Sequence, residues 1–268
     1  PRLSERDIER DLSYKTPLVH LINPNESSSM TSSIGSMKDA KNHLATLPAG
    51  LKEHLDDAYQ TALARLMTDF DQFFNVVATI DIKSNEEQVI AKQEATDIGE
   101  HGFILLLKLI DLLERLDLPH KRKEIEQVSL IFAHWIVRYN GKINHPEPVV
   151  NALAQLANLF QDKVSLINLY NLMSEVVEAC SLEIRLDKDG FNPDRPWRLL
   201  HFNRAIVATR THNAELIKQA FDEMLVYLPN EAAGFFKQSM SEMDQQEYPA
   251  QVRQLIELYQ SQPTVSWH

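Results

Sequence analysis

The stretch Phe103-Ile-Leu-Leu-Leu-Lys-Leu-Ile-Asp-Leu-Leu-Glu-Arg-Leu116 decides the fold, because it is apolar around most of the circumference of a helix. Such a helix must be covered on nearly every side. Apolar residues recur at helical spacing from about Leu51 almost to the C-terminus, and only 7 of the 268 residues are glycine. The sequence therefore predicts an all-α protein, an irregular helical bundle with one element through its centre.

The composition disfavours several classes of function. A formal net charge of -11 opposes binding to nucleic-acid phosphates and to anionic membrane surfaces. The central stretch is too short to span a bilayer and is interrupted by Lys108 and Asp111. The chain has one cysteine, Cys180, which fits a reducing compartment, and its first residues show no secretory signal pattern. We expect a cytoplasmic protein that binds neither nucleic acid nor membrane.

Three segments are predicted along the chain. Residues 1–36 form a partly extended N-terminal arm with a Ser-rich linker, and its apolar patch at 18–22 is suited to docking on the body or on a partner. Residues 37–141 form a long-helix part, and residues 146–268 form a helical-hairpin part that we expect to pack on it as one body. Exchange of the arm between two copies would give a homo-oligomer, an alternative that the sequence leaves open.

Start and stop signals divide these parts into helices. Ser84 and Glu87 have the spacing of a capping box, Pro119 marks a start, and Asn140-Gly141 marks a stop. The predicted helices cover about 51–82, 84–116, 119–139, 148–160, 163–186, 197–210, 213–227, 230–243 and 249–260.

Three prolines near the C-terminus are regularly spaced. Pro196, Pro229 and Pro263 lie 33 and 34 residues apart, and two helix–turn–helix units lie between them. If Pro229 takes the terminal proline position of the tetratricopeptide motif, Ala205 falls on its small-residue position and Phe221 on its aromatic position. Over about 65 residues the chain thus resembles tetratricopeptide (TPR) repeats. The resemblance implies a TPR-like solenoid of stacked helical hairpins with an extended groove.

The helix opened by Pro196 carries the main candidate site. Its apolar face is predicted to hold Leu199, Phe202 and Ile206. The opposite side, which we call the basic face, consists of Trp197, Arg198, His201 and Arg204. Residues 195–212 contain four arginines and no Asp or Glu. Arginine and tryptophan are enriched where binding energy concentrates, and guanidinium groups suit carboxylates. The basic face is therefore a candidate groove wall for an acidic ligand.

A second interpretation of the basic face is structural. In it, the arginines pair with carboxylates of adjacent helices, and Trp197 packs under the loop at 187–196. Residues 187–192 superficially resemble a calcium loop, but their Gly190 is out of register with the EF-hand pattern. We expect a turn with Gly190 at positive φ instead. The helical spacing of its neighbours places Cys180 in the core as an inert thiol.

A polar stripe along the central helix is the other candidate. Glu94, Asp97 and His101 have a spacing that could ligate a metal ion. The Glu-x-x-His motif of di-iron bundles is absent, so we favour a solvated stripe with an ion pair between Asp111 and Arg115. No metal or other cofactor is expected.

No catalytic residue is predicted. The chain lacks a P-loop, a dinucleotide fingerprint and a Gly-x-Ser-x-Gly elbow. The leading hypothesis is a non-enzymatic interaction or scaffold protein that binds an acidic peptide, or an acidic protein surface, in a helical groove. The alternative is a helical protein that binds a small molecule or a metal in a pocket, with or without enzymatic activity, through His101 with Glu94 and Asp97 or through His201 with the arginines.

Overall fold

The structure, a computed structural model, describes residues 34–51, 55–85, 90–188, 190–243 and 248–261. Eleven helices hold 82% of these residues, and there is no strand among them. In chain order they are α1 (Met37–Leu51), α2 (Asp57–Asn85), α3 (Lys92–Arg115), α4 (Pro119–Arg138), α5 (Glu147–Leu159), α6 (Lys163–Ala179), α7 (Leu182–Arg185), α8 (Pro196–Thr211), α9 (Ala214–Tyr227), α10 (Pro229–Met243) and α11 (Ala250–Gln260). The prediction of an all-α protein is confirmed for this part of the chain.

The predicted arm falls almost wholly outside the described residues, including its patch at 18–22. None of the helices in the described ranges is long and apolar enough to cross a membrane.

The first half of the chain has one more helix than predicted. The helix expected from Leu51 is preceded by α1, which begins after Ser36. The Ser36 backbone N–H donates to the Asp39 carboxylate over 2.7 Å, and the Asp39 N–H donates to Ser36 Oγ over 3.3 Å. This reciprocal pair satisfies free N–H groups of the first turn. A second start lies at Asp56, whose side chain accepts from the Tyr59 N–H over 2.9 Å.

Two predicted boundaries are wrong. Ser84 does not start a helix, because α2 continues to Asn85 and the next helix begins at Lys92. The predicted helix over 163–186 ends at Ala179. There the chain turns aside to form a parallel bridge between Cys180 and Ile143. At this bridge the backbone N–H of Ser181 donates to the Ile143 carbonyl over 3.0 Å and so does not continue the helical hydrogen bonds.

The chain divides into two compact units. Unit 1 comprises Pro1–Ile90 and His101–Trp135, and unit 2 comprises Ala91–Glu100 and Ile136–His268. Helices α3 and α4 contribute residues to both units. The expected packing of the two predicted helical parts into one body stays a prediction.

The core of unit 1 is aromatic and is built around the apolar stretch at 103–116. Phe103 and Phe132 lie with ring centroids 6.2 Å apart, and Phe73 stacks on Phe132 at 5.1 Å. Gly102 permits this packing, because a Cβ there would lie 2.6 Å from Cζ of Phe73. Half of the residues of the central stretch are buried, but the face that carries Ile104 and the polar stripe is exposed, with Ile104 exposed by 37%. The expectation that this helix is covered on nearly every side is therefore wrong, because one of its faces is open.

The core of unit 2 is centred on α8. This helix packs against α5, α6 and α9, and α11 packs against α9 and α10. The predicted stop after α4 is confirmed, although Asn140 rather than Gly141 takes the left-handed conformation, with φ 57°. Gly141 is needed for close approach, since a Cβ there would lie 3.1 Å from the backbone nitrogen of Thr96.

Candidate functional site

Three of the four residues of the basic face lie inside unit 2. Trp197, His201 and Arg204 are 2%, 1% and 1% exposed, and Arg198 is half-buried. Ile206, from the face that was predicted to be apolar and covered, is 45% exposed. The predicted orientation of α8 is therefore wrong. The side of α8 that carries the tryptophan and Arg204 is the side that packs on its neighbours.

Arg204 is held by a network that spans three helices. Its guanidinium forms an ion pair with Glu223 of α9, using two of its nitrogens. Its Nε donates to Ser174 Oγ over 2.8 Å, and Nη2 donates to the Tyr170 hydroxyl over 2.8 Å, both on α6. The guanidinium carbon also lies 4.6 Å from the centre of the Tyr170 ring. Every contact made by Arg204 is internal, so this residue ties α8 to α6 and α9 and does not face a partner.

The other three arginines of this segment are also engaged within unit 2. Arg195 is 5% exposed, and it donates to Asp187 over 2.6 Å and to Glu231. Arg210 donates to backbone carbonyl oxygens at the end of α5, and Arg198 donates to a loop carbonyl over 2.8 Å. The structural interpretation, in which arginines pair with carboxylates of nearby segments, is confirmed for Arg195 and Arg204.

His201 is a neutral side chain with no hydrogen-bond partner. Both of its ring nitrogens are buried without a partner in the described part of the chain. Its ring lies 4.4 Å from Trp197 and 5.3 Å from Tyr227, measured between centroids. Burial, followed by the positive charges of Arg204 and Arg185, lowers the pKa of His201 to about 3. The imidazole is therefore uncharged at neutral pH and does not contribute to an anion site.

Replacing His201 by leucine is expected to make folding less sensitive to acid. Below pH 6.5 the unfolded chain binds a proton at this histidine, whereas the folded chain does so only near pH 3. The unfolded state holds the extra proton in this window, so the wild type loses up to about 1.4 kcal/mol of stability per pH unit as the pH falls. Urea denaturation should show His201→Leu gaining about 2 kcal/mol on the wild type between about pH 8 and about pH 5. Equal acid sensitivity of the two proteins would contradict a buried, neutral His201.

The candidate metal ligands do not form a metal site. Glu94, Asp97 and His101 are all exposed, and within the described ranges no three His, Cys, Asp or Glu side chains are grouped so that they could hold an ion. The predicted ion pair in the same polar stripe is confirmed, with 3.0 Å between Arg115 Nε and an oxygen of Asp111.

Two smaller predictions have different outcomes. The expectation that Gly190 adopts positive φ is wrong: Asp187 does so instead, with φ 45°. Its carboxylate accepts the hydrogen bond from Arg195 Nε. The prediction for Cys180 is confirmed, since this thiol is 1% exposed and burial raises its pKa to about 12. A thiol with so high a pKa is not a nucleophile at neutral pH.

A groove that the sequence did not reveal lies in unit 1 between α2 and α3. Its volume is about 430 Å³. Its less polar lining includes Tyr59, Leu66 and Leu112, and its cationic lining consists of Arg65, Lys108 and Arg115. Lys108 and Arg115 belong to the polar stripe of α3, so the sequence indicated part of the lining of this groove. The sequence did not indicate that α2 lies alongside α3 and contributes Arg65.

The cations of this groove differ from the arginines of α8 in being exposed and, in two cases, unpaired. Arg65 and Lys108 make no hydrogen bond or ion pair with any described residue. Of the two carboxylates in the lining, Asp111 is paired with Arg115 and Asp69 is not. With three cations and two carboxylates in its lining, this groove is locally positive in an acidic chain.

Comparison with protein-family models, with curated proteins and with solved structures finds no match for this chain.

Proposed function

We propose that this protein is a non-enzymatic interaction module that binds an acidic peptide, or an acidic segment of another protein, in the groove between α2 and α3. The observation that carries the proposal is the pair of exposed cations on the walls of this groove, Arg65 and Lys108, which have no ion-pair partner among the described residues. This keeps the class of function that the sequence suggested and moves the site from the basic face of α8 to unit 1.

The groove combines apolar and cationic surfaces. Leu66 and Leu112 line the groove at only 7% and 8% exposure, and the half-buried Tyr59 adds to the apolar surface that a bound side chain can cover. Arg65 and Lys108 are exposed and lie on opposite helices. A peptide that presents apolar side chains on one side and carboxylates on its flanks complements this arrangement. Carboxylate pairing with guanidinium and ammonium groups supplies orientation and a faster association rate.

The wider architecture suits a scaffold. We propose that α8 to α11 form two TPR-like hairpins, since α8 packs on α9, α10 packs on α11, and each hairpin begins at a proline. Stacked hairpins present extended surfaces of the kind that interaction proteins use. A cytoplasmic location is part of the proposal, because the one cysteine is a buried, free thiol. The small-molecule alternative is favoured by one observation, a cavity at the start of α8 in unit 2.

Charge reversal in the groove is expected to weaken acidic-peptide binding about tenfold or more. The double variant Arg65→Glu/Lys108→Glu removes both free cations and adds two carboxylates beside the ligand. The probe is a fluorescein-labelled peptide of Glu and Leu, patterned as an amphipathic helix, and its affinity is measured by fluorescence anisotropy at low ionic strength. Both positions are exposed, so the melting temperature should stay close to that of the wild type.

The matched control is Lys123→Glu/Lys163→Glu, which makes the same change in net charge at exposed lysines outside the groove. It should bind the peptide nearly as well as the wild type. A second control peptide, with Lys in place of each Glu, should lose no affinity in Arg65→Glu/Lys108→Glu. If the two double variants lose affinity equally, the groove is not the site and the proposal fails.

A further inference from the structure

The walls of the groove in unit 1 are two helices, which favours a helical ligand over an extended one. The lining runs from Tyr59 to Asp69 on α2 and from Lys108 to Arg115 on α3. Backbone groups inside a helix are bonded within that helix, so the walls offer no strand edge to which an extended peptide could add. A helical peptide satisfies its own backbone groups over the apolar floor. The α2 part of the lining spans about 15 Å, which matches about three turns of a bound helix.

The α2 wall carries two opposite charges about one turn apart. Arg65 and Asp69 are both exposed and both line the groove, and neither side chain forms a hydrogen bond or an ion pair with a described residue. Their spacing of i and i+4 corresponds to about 6 Å along the helix axis. A cation that precedes the acidic residue is the less favourable order for a pair within a helix. Both charges are therefore available to a ligand.

The α3 wall presents mainly positive charge. Lys108 is exposed and has no partner in the described part of the chain, whereas Asp111 and Arg115 are paired with each other over 3.0 Å. A carboxylate of the ligand is therefore attracted on this side. Asp69 on the opposite wall has the contrary effect, because it repels a carboxylate and attracts an ammonium group. A ligand with carboxylates at every flanking position is thus not the best match for the groove.

We propose that Arg65 and Asp69 select the order of charges along a helical ligand of this groove. The preferred partner is an amphipathic helix with carboxylates on the flank that faces α3. Its other flank carries one carboxylate opposite Arg65 and one ammonium group opposite Asp69. A helix whose apolar stripe covers the groove floor presents a given flank to α2 in one direction only, so a ligand with these two charges exchanged does not recover the match by turning round. This inference rests on the function proposed for the groove.

The test uses the full chain and two peptides of identical composition. Each peptide has a leucine stripe, glutamates on one flank, and one Glu and one Lys a single helical turn apart on the other flank. The two peptides differ only in the order of that Glu and Lys. Fluorescence anisotropy at low ionic strength should show that the wild type binds one of them about tenfold more tightly, because two attractions replace two repulsions. Equal affinities would overturn the proposal.

The variant Asp69→Lys tests which residue makes the selection. With a cation at both positions of the α2 wall, each order of charges makes one attraction and one repulsion, so the preference should fall below about twofold. The all-acidic Glu/Leu peptide should bind this variant more tightly than it binds the wild type. The control Asp71→Lys makes the same change at an exposed position of α2 outside the groove and should keep the wild-type preference. A preference that survives in Asp69→Lys would contradict the proposal.

The results also separate this proposal from the function on which it rests. If the wild type binds the Glu/Leu peptide in the groove but shows no preference for either order of charges, selection by Arg65 and Asp69 is wrong and the proposed function stands. If the wild type binds none of the three peptides, both proposals are wrong.

Discussion

Replacing Arg204 by alanine is expected to lower the free energy of unfolding by about 3–5 kcal/mol. The guanidinium is 1% exposed and is shared by Glu223, Tyr170 and Ser174. Its removal leaves the Glu223 carboxylate and the Tyr170 hydroxyl without their donor in surroundings that are partly closed to water. Urea denaturation followed by tryptophan fluorescence measures the change. Arg204→Met should lose less, because an apolar chain of similar length fills the volume.

Arg198→Ala is the matched control for this prediction. Arg198 lies on the same helix and donates one hydrogen bond to a loop carbonyl over 2.8 Å, and its guanidinium lies over the Phe202 ring at 4.2 Å. Its loss should cost no more than about 1 kcal/mol. From the sequence, Arg204 was expected to be a binding residue of the basic face. Equal and small losses for the two alanine variants would restore that expectation and contradict the buried network.

Phe132→Ala is expected to lower the free energy of unfolding by about 3–5 kcal/mol. The Phe132 ring is fully buried and contacts the rings of Phe73, Phe74 and Phe103 at centroid distances between 5.1 Å and 6.2 Å. Truncation leaves a cavity at the point where α2, α3 and α4 meet in unit 1, and these close-packed rings can only partly fill it. The midpoint of urea denaturation is the measurement.

The control is the same substitution at an exposed ring. Phe191 is 102% exposed, so Phe191→Ala removes no packing and should leave the denaturation midpoint unchanged. If Phe132→Ala is as harmless as Phe191→Ala, the aromatic core of unit 1 is not packed as described.

The sequence predicted the class of fold well because its signals are local. The apolar run from Phe103 predicts a helix that packs in a core wherever its neighbours lie. Pro196 and Pro229 mark helix starts and Asn140 marks a helix end, and each acts on the backbone within one turn. Helix bounds in the second half agree within one or two residues except after Ala179. That exception depends on a bridge to Ile143, which lies far away in sequence.

The candidate site was harder to predict because it depends on distant partners. Apolar residues occur all around α8, so periodicity does not decide which face is buried. Tyr170, Ser174 and Glu223, which bind Arg204, lie 34, 30 and 19 residues away from it. A cluster of arginines looks the same in sequence whether its carboxylates belong to the same chain or to a partner. The groove of unit 1 depends in the same way on α2 lying beside α3.

Carbodiimide coupling of the acidic Glu/Leu peptide to the protein, mapped by mass spectrometry, tests whether an acidic ligand binds in the groove between α2 and α3. The reagent joins a peptide carboxylate to a lysine amine that it already contacts. An acidic ligand in the groove between α2 and α3 should therefore be attached mainly to Lys108, and the attachment should fall in Arg65→Glu, which keeps the Lys108 amine. Coupling spread evenly over exposed lysines such as Lys123, Lys163 and Lys237, or concentrated at any of them, would contradict the proposed site.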